Sequence, residues 1–222
     1  MTGALGRMAA CLLALVPLAC TVGEGEGDVK SDHLYVNGCW NGAFDLQPDF
    51  FGANPDQEVA LMIRVQRGDN IEDVSDGLDV LVNDLQAVRK QLSDAKAGGA
   101  KGVDIPVGMP PGVSPPGVPI TFNPTPPLVS LSLYLHNSCH QQNGTVYSVS
   151  GAITFTSLFS GDLNEGSSEN RLTDATFTDV SFADPRELAT AADTTSQAAL
   201  TSLVSGKFNF FFQRGQPSQP FE

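Results

Sequence analysis

The segment His136-Asn137-Ser138-Cys139-His140 brings together two imidazoles and a thiol, the side chains that zinc takes as ligands. Apolar and polar residues alternate up to this segment, which predicts a β-strand. On a strand, His136 and His140 share a face but stand about 13 Å apart at a rise of about 3.3 Å per residue. One ion cannot bridge that distance unless the chain turns, so we interpret both histidines as surface or loop residues.

Acidic residues are concentrated between positions 69 and 84. Calcium prefers oxygen ligands of this kind, but a start at Glu72 would put Val74 at the third position of an EF-hand loop, where an oxygen ligand is required. The pattern therefore favours a solvated acidic loop, with calcium binding as the alternative. The six acids in these sixteen positions are Asp69, Glu72, Asp73, Asp76, Asp79 and Asp84.

Signatures of catalysis are sparse in this sequence. It contains no Gly-x-Ser-x-Gly motif, and its three histidines, His33, His136 and His140, lie in no known catalytic pattern. Acids are plentiful, and a glycoside hydrolase would need two carboxyl groups about 5 to 10 Å apart in a cleft. A raised pKa on one of them would favour such an enzyme. From the residues alone we assign no catalytic, metal-binding or cofactor-binding position.

The N-terminus predicts a secretory signal. Arg7 precedes an apolar run of eleven residues, Met8–Leu18, which is shorter than the roughly 20 residues that a membrane-spanning helix needs. A charged start, a short apolar run and small residues after it are typical of signal peptides. The run ends in Val16-Pro17-Leu18-Ala19-Cys20, which resembles the lipobox of bacterial lipoproteins, where a small residue precedes a cysteine that is lipidated after cleavage.

The resemblance implies that residues 1–19 are removed and that Cys20 carries a diacylglyceryl thioether and an acylated amino group. More than one acyl chain gives stable membrane anchoring. Thr21, in the position where Asp would favour retention, implies an outer-membrane lipoprotein that faces the periplasm or the cell surface. Residues 20–31 are rich in glycine and acids, so we predict a lipidated flexible tether there.

The same resemblance accounts for two of the four cysteines, because Cys11 leaves with the signal and Cys20 carries lipid. The remaining pair, Cys39 and Cys139, would lie in an oxidising compartment, where a disulfide is expected. Such a bond would close a loop of about 100 residues and contribute about 4 to 5 kcal/mol in the chain-entropy model. A redox or metal pair is the alternative, although the sequence has no Cys-x-x-Cys motif.

The elements that would position these residues are mostly strands, because apolar residues recur with a period of two. One helix is predicted with Asn83 as its N-cap, because Leu85, Val88 and Leu92 follow at helical spacing. The expected fold is therefore all-β, an antiparallel β-sandwich or partly closed barrel of about seven strands with one short helix. The strand candidates are residues 34–46, 58–66, 77–83, 128–136, 145–159, 171–182 and 207–213.

Residues 98–127 contain nine of the fifteen prolines. Proline lacks the N–H that sheet pairing needs, so this stretch predicts a long Pro/Gly-rich surface loop. A docking segment for a partner and a linker between domains are the alternatives. We expect the loop to lie within a single β domain, residues 32–215, followed by a C-terminal tail at 216–222.

Asn143-Gly144 predicts a β-hairpin. A two-residue loop would place apolar residues opposite polar ones throughout, because the apolar faces of both strands fall on odd positions. We therefore predict a three-residue loop, or another one-residue bulge near His136–His140, that pairs Gln141 with Thr145 and Leu133 with Ile153.

The net charge of −13, from 12 Lys+Arg and 25 Asp+Glu, argues against nucleic acid as a partner, because phosphate binding needs basic residues. It also argues against binding an anionic membrane through a basic patch. The mature part resembles uncharacterised β-rich envelope lipoproteins. The expected function is a lipid-anchored cell-envelope binding or structural module without catalytic activity, with an envelope protein or glycan as partner. The alternatives are an envelope hydrolase acting on polysaccharide or peptidoglycan, and a calcium-dependent adhesin.

Overall fold

The computed structural model describes residues 23–57, 59–68, 72–113, 125–140, 144–188 and 201–213. Within these ranges the all-β class is confirmed, with eleven strands rather than about seven. Three helices and a 3-10 turn at Glu72–Val74 accompany them. The strands are β1 (Gly25–Val36), β2 (Trp40–Leu46), β3 (Phe50–Asp56), β4 (Ala60–Gln66), β5 (Asp76–Val82), β6 (Val103–Gly108), β7 (Val129–Leu135), β8 (Thr145–Ser150), β9 (Ala152–Ser157), β10 (Leu172–Ala183) and β11 (Thr201–Phe211), and the helices are α1 (Leu85–Ala97), α2 (Ser168–Arg171) and α3 (Pro185–Leu188).

The strands pair in the order β2-β1-β11-β10-β9-β6-β7-β5-β4-β3. β8 pairs with both β10 and β7 and so completes a ring of strands, while β6 and β7 form the one parallel pair among the described strands. β3 lies at one end of this strand order and β1 lies next to the other end. The two ends nevertheless meet, since the Phe51 N–H on β3 donates to the carbonyl of Gly23, just before β1, at 2.8 Å. Apolar side chains from the two halves meet in one core, as in a β-sandwich.

The predicted helix is present as α1, and its apolar face packs on the core through Leu85, Val88 and Leu92. Its N-cap is Asp84 and not Asn83. The Asp84 carboxylate accepts a hydrogen bond from the Ala87 N–H at 2.8 Å, the usual capping contact at a helix start.

The prediction of a flexible tether over residues 20–31 is wrong from residue 25 onward. Residues 25–36 form β1, which lies between β2 and β11. Gly25 and Gly27 are needed there because a Cβ on either would lie within about 3 Å of Phe51, Phe210 or the backbone of β11. The glycines that suggested flexibility permit close packing instead.

The prediction of a loop over residues 98–127 is wrong for residues 103–108, which form β6. Ile105 and Val107 are buried, and Pro106 pairs with Ala152 of β9. The Val107 N–H donates towards β9, to the Gly151 carbonyl, so the nitrogen of the neighbouring Pro106 faces the other way. On that other side β6 pairs with β7 only from Val107 onward. The N–H that Pro106 lacks is therefore not needed for any hydrogen bond between the strands.

The predicted hairpin register is also wrong. Tyr134 pairs with Thr145 and Leu133 with Val146, and nine residues, 136–144, connect β7 to β8. The predicted single strand over 145–159 is divided at Gly151, whose φ of +117° breaks the alternation. Buried positions are even in β8 and odd in β9, so apolar residues of the two strands do not share one face as a single regular strand would require. Residues 141–143 lie outside the described ranges.

Candidate functional site

Two strand bulges lie on either side of β11. On β1 the pairing with β2 shifts between Ser31 and Leu34. On β10 the pairing with β11 shifts between Phe177 and Val180. A bulge adds a residue to one strand and changes the direction in which its side chains point. The side chains at the two bulges therefore point in other directions, beside β11, than they would in regular strands.

An open groove of about 340 Å³ lies between these bulges, and we call it the bulge groove. The backbone pairing of β1 with β11 ends at Lys30 and Ser205. Beyond that point the Tyr35 N–H donates to a side chain of β11, Ser202 Oγ, at 2.9 Å. The volume falls in the range of small-molecule sites, about 300 to 1,000 Å³. Its lining combines charged, hydroxyl-bearing and apolar side chains, among them Lys30, Asp32, His33, Asp179, Leu203 and Ser205.

Asp179 is held at the groove by its own backbone and by a neighbouring hydroxyl. Its φ is +51°, a left-handed conformation that Asp tolerates better than most residues. The Asp179 N–H donates to Ser205 Oγ at 2.9 Å, and that hydroxyl donates to Asp179 Oδ1 at 3.4 Å. Unfavourable backbone conformations of this kind cluster at ligand sites, because the surrounding structure must maintain them.

Ser31 adds a buried hydroxyl to the lining of the bulge groove. It is 5% exposed, and its Oγ has no hydrogen-bond partner among the described residues. Buried hydroxyl groups in proteins are nearly always paired with protein, water or ligand. Leu203, in contrast, leaves 53% of its surface exposed on the same groove. The groove thus offers one unsatisfied polar atom and one uncovered apolar surface.

Lys30 provides the basic group of the groove. Its Nζ lies 3.1 Å from Asp28 Oδ2, and that hydrogen bond raises the pKa of Lys30. An ammonium group has three donors, so this contact leaves donors for a ligand. Carboxylates of Asp32 and Asp179 supply acceptors nearby.

A second polar cluster is buried on the face of the β4–β5–β7 sheet that points away from the main core. Arg64, 2% exposed, lies directly opposite Asp79 in the β4–β5 pairing. Its Nε lies 3.3 Å from Asp79 Oδ1 and one terminal nitrogen lies 2.7 Å from Glu72 Oε2. One guanidinium therefore binds two carboxyl groups, the buried one of Asp79 and the partly exposed one of Glu72, which compensates for the burial of Arg64 and Asp79.

Burial, and after it the charge of the nearby Glu72 carboxylate, raise the pKa of Asp79 to about 8, while Arg64 opposes the shift. Both carboxyl groups contact the same guanidinium, Asp79 at 3.3 Å and Glu72 at 2.7 Å. Two acids held beside one cation in this way are suited to retaining a proton between them.

Tyr134 and Gln66 extend the cluster along the same face. The Tyr134 hydroxyl donates to Gln66 Oε1 at 2.9 Å, and Gln66 Nε2 donates to the Gly68 carbonyl at 2.8 Å. Burial is the main cause that raises the pKa of Tyr134, followed by the charge of Asp79. The phenol therefore acts as a neutral hydrogen-bond donor inside a connected network.

The predicted cysteine pair is brought together. The sulfur atoms of Cys39 and Cys139 lie within disulfide distance, and their Cα atoms are 5.7 Å apart. Asp76 organises the turn that carries Cys139. Its Oδ1 accepts hydrogen bonds from the N–H groups of Asn137 and Ser138 at 3.0 Å each, and its Oδ2 accepts one from Ser138 Oγ at 2.6 Å.

Both histidines of the segment lie in this turn and not on a strand. His136 Nδ1 lies 2.9 Å from the Glu72 carbonyl, and its Nε2 lies 3.0 Å from Thr145 Oγ1. His140 is exposed. In the part of the chain that the structure describes, no group of three or more His, Cys, Asp or Glu residues is arranged to hold a metal ion.

The prediction of a solvated acidic loop is wrong for Asp76 and Asp79, each 7% exposed. Each finds donors inside the fold: turn amides for Asp76 and Arg64 for Asp79. Asp84 caps α1. Asp69 lies outside the described residues.

Cys20, the predicted lipidation site, lies outside the described residues, as do the signal segment 1–19 and the tail 216–222. Among the helices that the structure does describe, none is long and apolar enough to cross a membrane.

The groove residues Asp32, Asp179 and Leu203 were missed from the sequence, although a signal for them exists. Buried positions in β10 run from odd numbers at Phe177 to even numbers at Val180, and β1 shows the same change between Ser31 and Leu34. Such a phase change within one strand indicates a bulge. Most apolar residues of β10 fall on odd positions before the bulge and on even positions after it, so a regular strand would place them on both faces.

The chain matches no protein-family model, no curated protein and no solved structure.

Proposed function

We propose that this chain is a lipid-anchored module of the cell envelope that binds an uncharged glycan in the bulge groove without catalysing a reaction. The anchoring rests on Cys20 and the lipobox-like residues before it. Thr21 supports an outer-membrane location. The binding function rests on one observation, the groove of about 340 Å³ between two strand bulges.

The chemistry of the groove favours a saccharide. Each sugar hydroxyl both donates and accepts hydrogen bonds, which suits a lining that mixes the carboxylates of Asp32 and Asp179, the ammonium of Lys30 and the hydroxyl of Ser205. Leu203 offers an apolar surface for the C–H groups of a sugar ring. Anionic ligands are disfavoured by the two carboxylates and by the net charge of −13.

The binding test uses the full chain, purified in detergent and titrated with neutral oligosaccharides from envelope polysaccharide. We expect saturable binding that Asp179→Ala weakens about 10- to 100-fold, the cost of a hydrogen bond to a charged group. Leu203→Ser should weaken it as well. The matched control is Asp104→Asn, an exposed carboxylate of β6 that accepts from Thr154 Oγ1 at 2.5 Å. Equal binding by Asp179→Ala and Asp104→Asn, or no saturable binding by the wild type, contradicts the proposal.

The anchoring test is separate. Wild-type cells fed labelled palmitate should incorporate the label into this chain, and Cys20→Ser should not incorporate it. Label in the Cys20→Ser variant, or none in the wild type, rules out the anchor.

One observation favours the hydrolase alternative, namely the raised pKa of Asp79 beside Glu72. Against it stands the contact of both carboxyl groups with the buried Arg64, which leaves Asp79 only 7% exposed. Release of dye-labelled fragments from peptidoglycan by the wild type, abolished in Asp79→Asn, would establish that alternative in place of a module without activity.

A further inference from the structure

We infer that the end of the molecule at which β1 starts lies directly against a zwitterionic lipid surface, with the side chains of Phe211 and Leu163 in contact with lipid; this inference rests on the proposed anchoring through Cys20. We call this end the anchor end. It comprises the start of β1, the end of β11 and the connection 158–171.

The length of chain between Cys20 and the sheet limits how far the protein can stand from the bilayer. β1 begins at Gly25, so five residue steps separate it from the predicted lipidation site. An extended chain spans at most about 3.6 Å per residue, which gives at most about 18 Å. A tether of twelve residues, as expected for 20–31, would have allowed more than twice that distance. The short connection therefore brings the start of β1 close to the headgroups.

The pairing of the strands shows which other segments share the anchor end. Gly25 pairs with Phe210, and Phe211 pairs with Leu172 at the start of β10. The Phe212 N–H donates to the Arg171 carbonyl at 2.8 Å, which ties the end of β11 to the connection 158–171. Leu163 lies within that connection, between β9 and β10.

The anchor end carries two uncovered apolar side chains. Phe211 is 48% exposed and Leu163 is 51% exposed. Among the described residues, five large apolar side chains are exposed to this degree, and these two lie at the same end. An aromatic ring and a leucine at the level of the headgroups gain free energy by leaving water, as aromatic residues do at membrane interfaces.

The charges around these side chains decide the kind of lipid surface. Glu24, Glu26, Asp162 and Glu169 are all exposed near the anchor end. Acidic side chains are repelled by anionic headgroups, so apolar contact with zwitterionic lipid is the favoured interaction. Contact should therefore weaken as anionic lipid is added.

The arrangement holds the bulge groove away from the lipid. Leu203 lies eight residues before Phe211 on β11, which corresponds to about 26 Å along the strand. The two residues are exposed to nearly the same extent, 53% and 48%. Leu203 is therefore a matched control position for any probe placed at Phe211.

The test uses the full chain, purified in detergent and reconstituted into phosphatidylcholine vesicles whose acyl chains carry bromine, which quenches tryptophan fluorescence at short range. The chain has one tryptophan, Trp40, so W40F removes the background. Two reporters probe the anchor end, F211W and L163W, and L203W is the control, each in the W40F chain. Circular dichroism of each variant checks that its fold is kept.

We expect every variant to float with the vesicles and the fluorescence of F211W and L163W to be lost to a greater extent than that of L203W. The difference should shrink when anionic phosphatidylglycerol replaces part of the phosphatidylcholine. Flotation with equal quenching at all three positions overturns the inference and leaves the anchor intact. Failure to float overturns both the anchor and the inference that rests on it.

Discussion

Because Asp79 is a buried acid, we expect its contribution to the free energy of unfolding to depend on pH, and comparison with the Asp79→Asn variant isolates that contribution. The pKa of Asp79 is raised to about 8 by burial and by Glu72, whereas the unfolded chain should titrate near the ordinary value of about 3.9. The folded protein therefore binds this proton more tightly than the unfolded chain does. The stability that Asp79 contributes is complete below about pH 4 and is lost as the pH rises towards 8.

The size of this pH effect follows from the one proton that the folded protein binds and the unfolded chain does not. One proton changes the free energy of unfolding by at most about 1.4 kcal/mol per pH unit, so the loss between pH 5 and pH 7 is at most about 3 kcal/mol. Asparagine cannot ionise but keeps the shape of the protonated acid. Compared with the wild type, Asp79→Asn should therefore gain stability steadily as the pH rises, while Arg64 keeps its contact with Glu72.

Urea unfolding at half-unit steps from pH 5 to pH 8, followed by circular dichroism, measures this difference. The matched control is Asp84→Asn, which replaces an exposed carboxylate at the start of α1 by a residue that caps a helix equally well. Its stability curve should run parallel to that of the wild type. If the curve of Asp79→Asn also runs parallel, then Asp79 is ionised throughout, and the attraction of Arg64 outweighs burial, contrary to the reasoning above.

Three further predictions concern the same fold. Replacing both Cys39 and Cys139 by Ala should lower the free energy of unfolding by about 2 to 5 kcal/mol, because the bond closes a long loop; an unchanged urea midpoint would contradict this. Gly151→Ala should cost about 1 to 3 kcal/mol, since φ is +117° and the new Cβ would lie 3.1 Å from Val180; thermal melting measures it, and no loss would refute the strain argument. Millimolar calcium should leave the melting temperature unchanged, because the Asp76 and Asp79 oxygens already bind protein donors; a rise would support the calcium-dependent alternative.

The fold class could be predicted because most strands alternate without interruption. β4 and β7 place every second residue in the core, for example Leu61 and Leu131, as the pattern indicated. The places where prediction failed are positions at which one residue changes the phase of a strand. Gly151 does so between β8 and β9, and the bulge at Asp179 does so within β10. A period-two argument carried across such a point assigns the wrong face to everything beyond it.

The candidate sites were less predictable, because they depend on partners distant in sequence. Arg64 and Asp79 are fifteen residues apart and meet only because β4 and β5 pair in one register. A glycine-rich segment can be either a flexible tether or a closely packed strand, and composition alone does not distinguish the two. In Gly25 and Gly27 the missing side chain lets β1 approach Phe51. The same composition in an unpaired chain would have given a flexible tether.

β1 connects the separate features of the molecule. Its start lies a few residues from the predicted anchor, its bulge forms one wall of the groove, and Cys39, bonded to the other half of the fold, follows its end. The Phe51 N–H holds Gly23, two residues before the strand, and the Cys39–Cys139 pair holds the residues after it. A strand held at both ends keeps its bulge in place, because neither end can slide to absorb the extra residue. With the proposed anchor at Cys20, the distance of the groove from the lipid would follow from the length of β1 and of its partner β11.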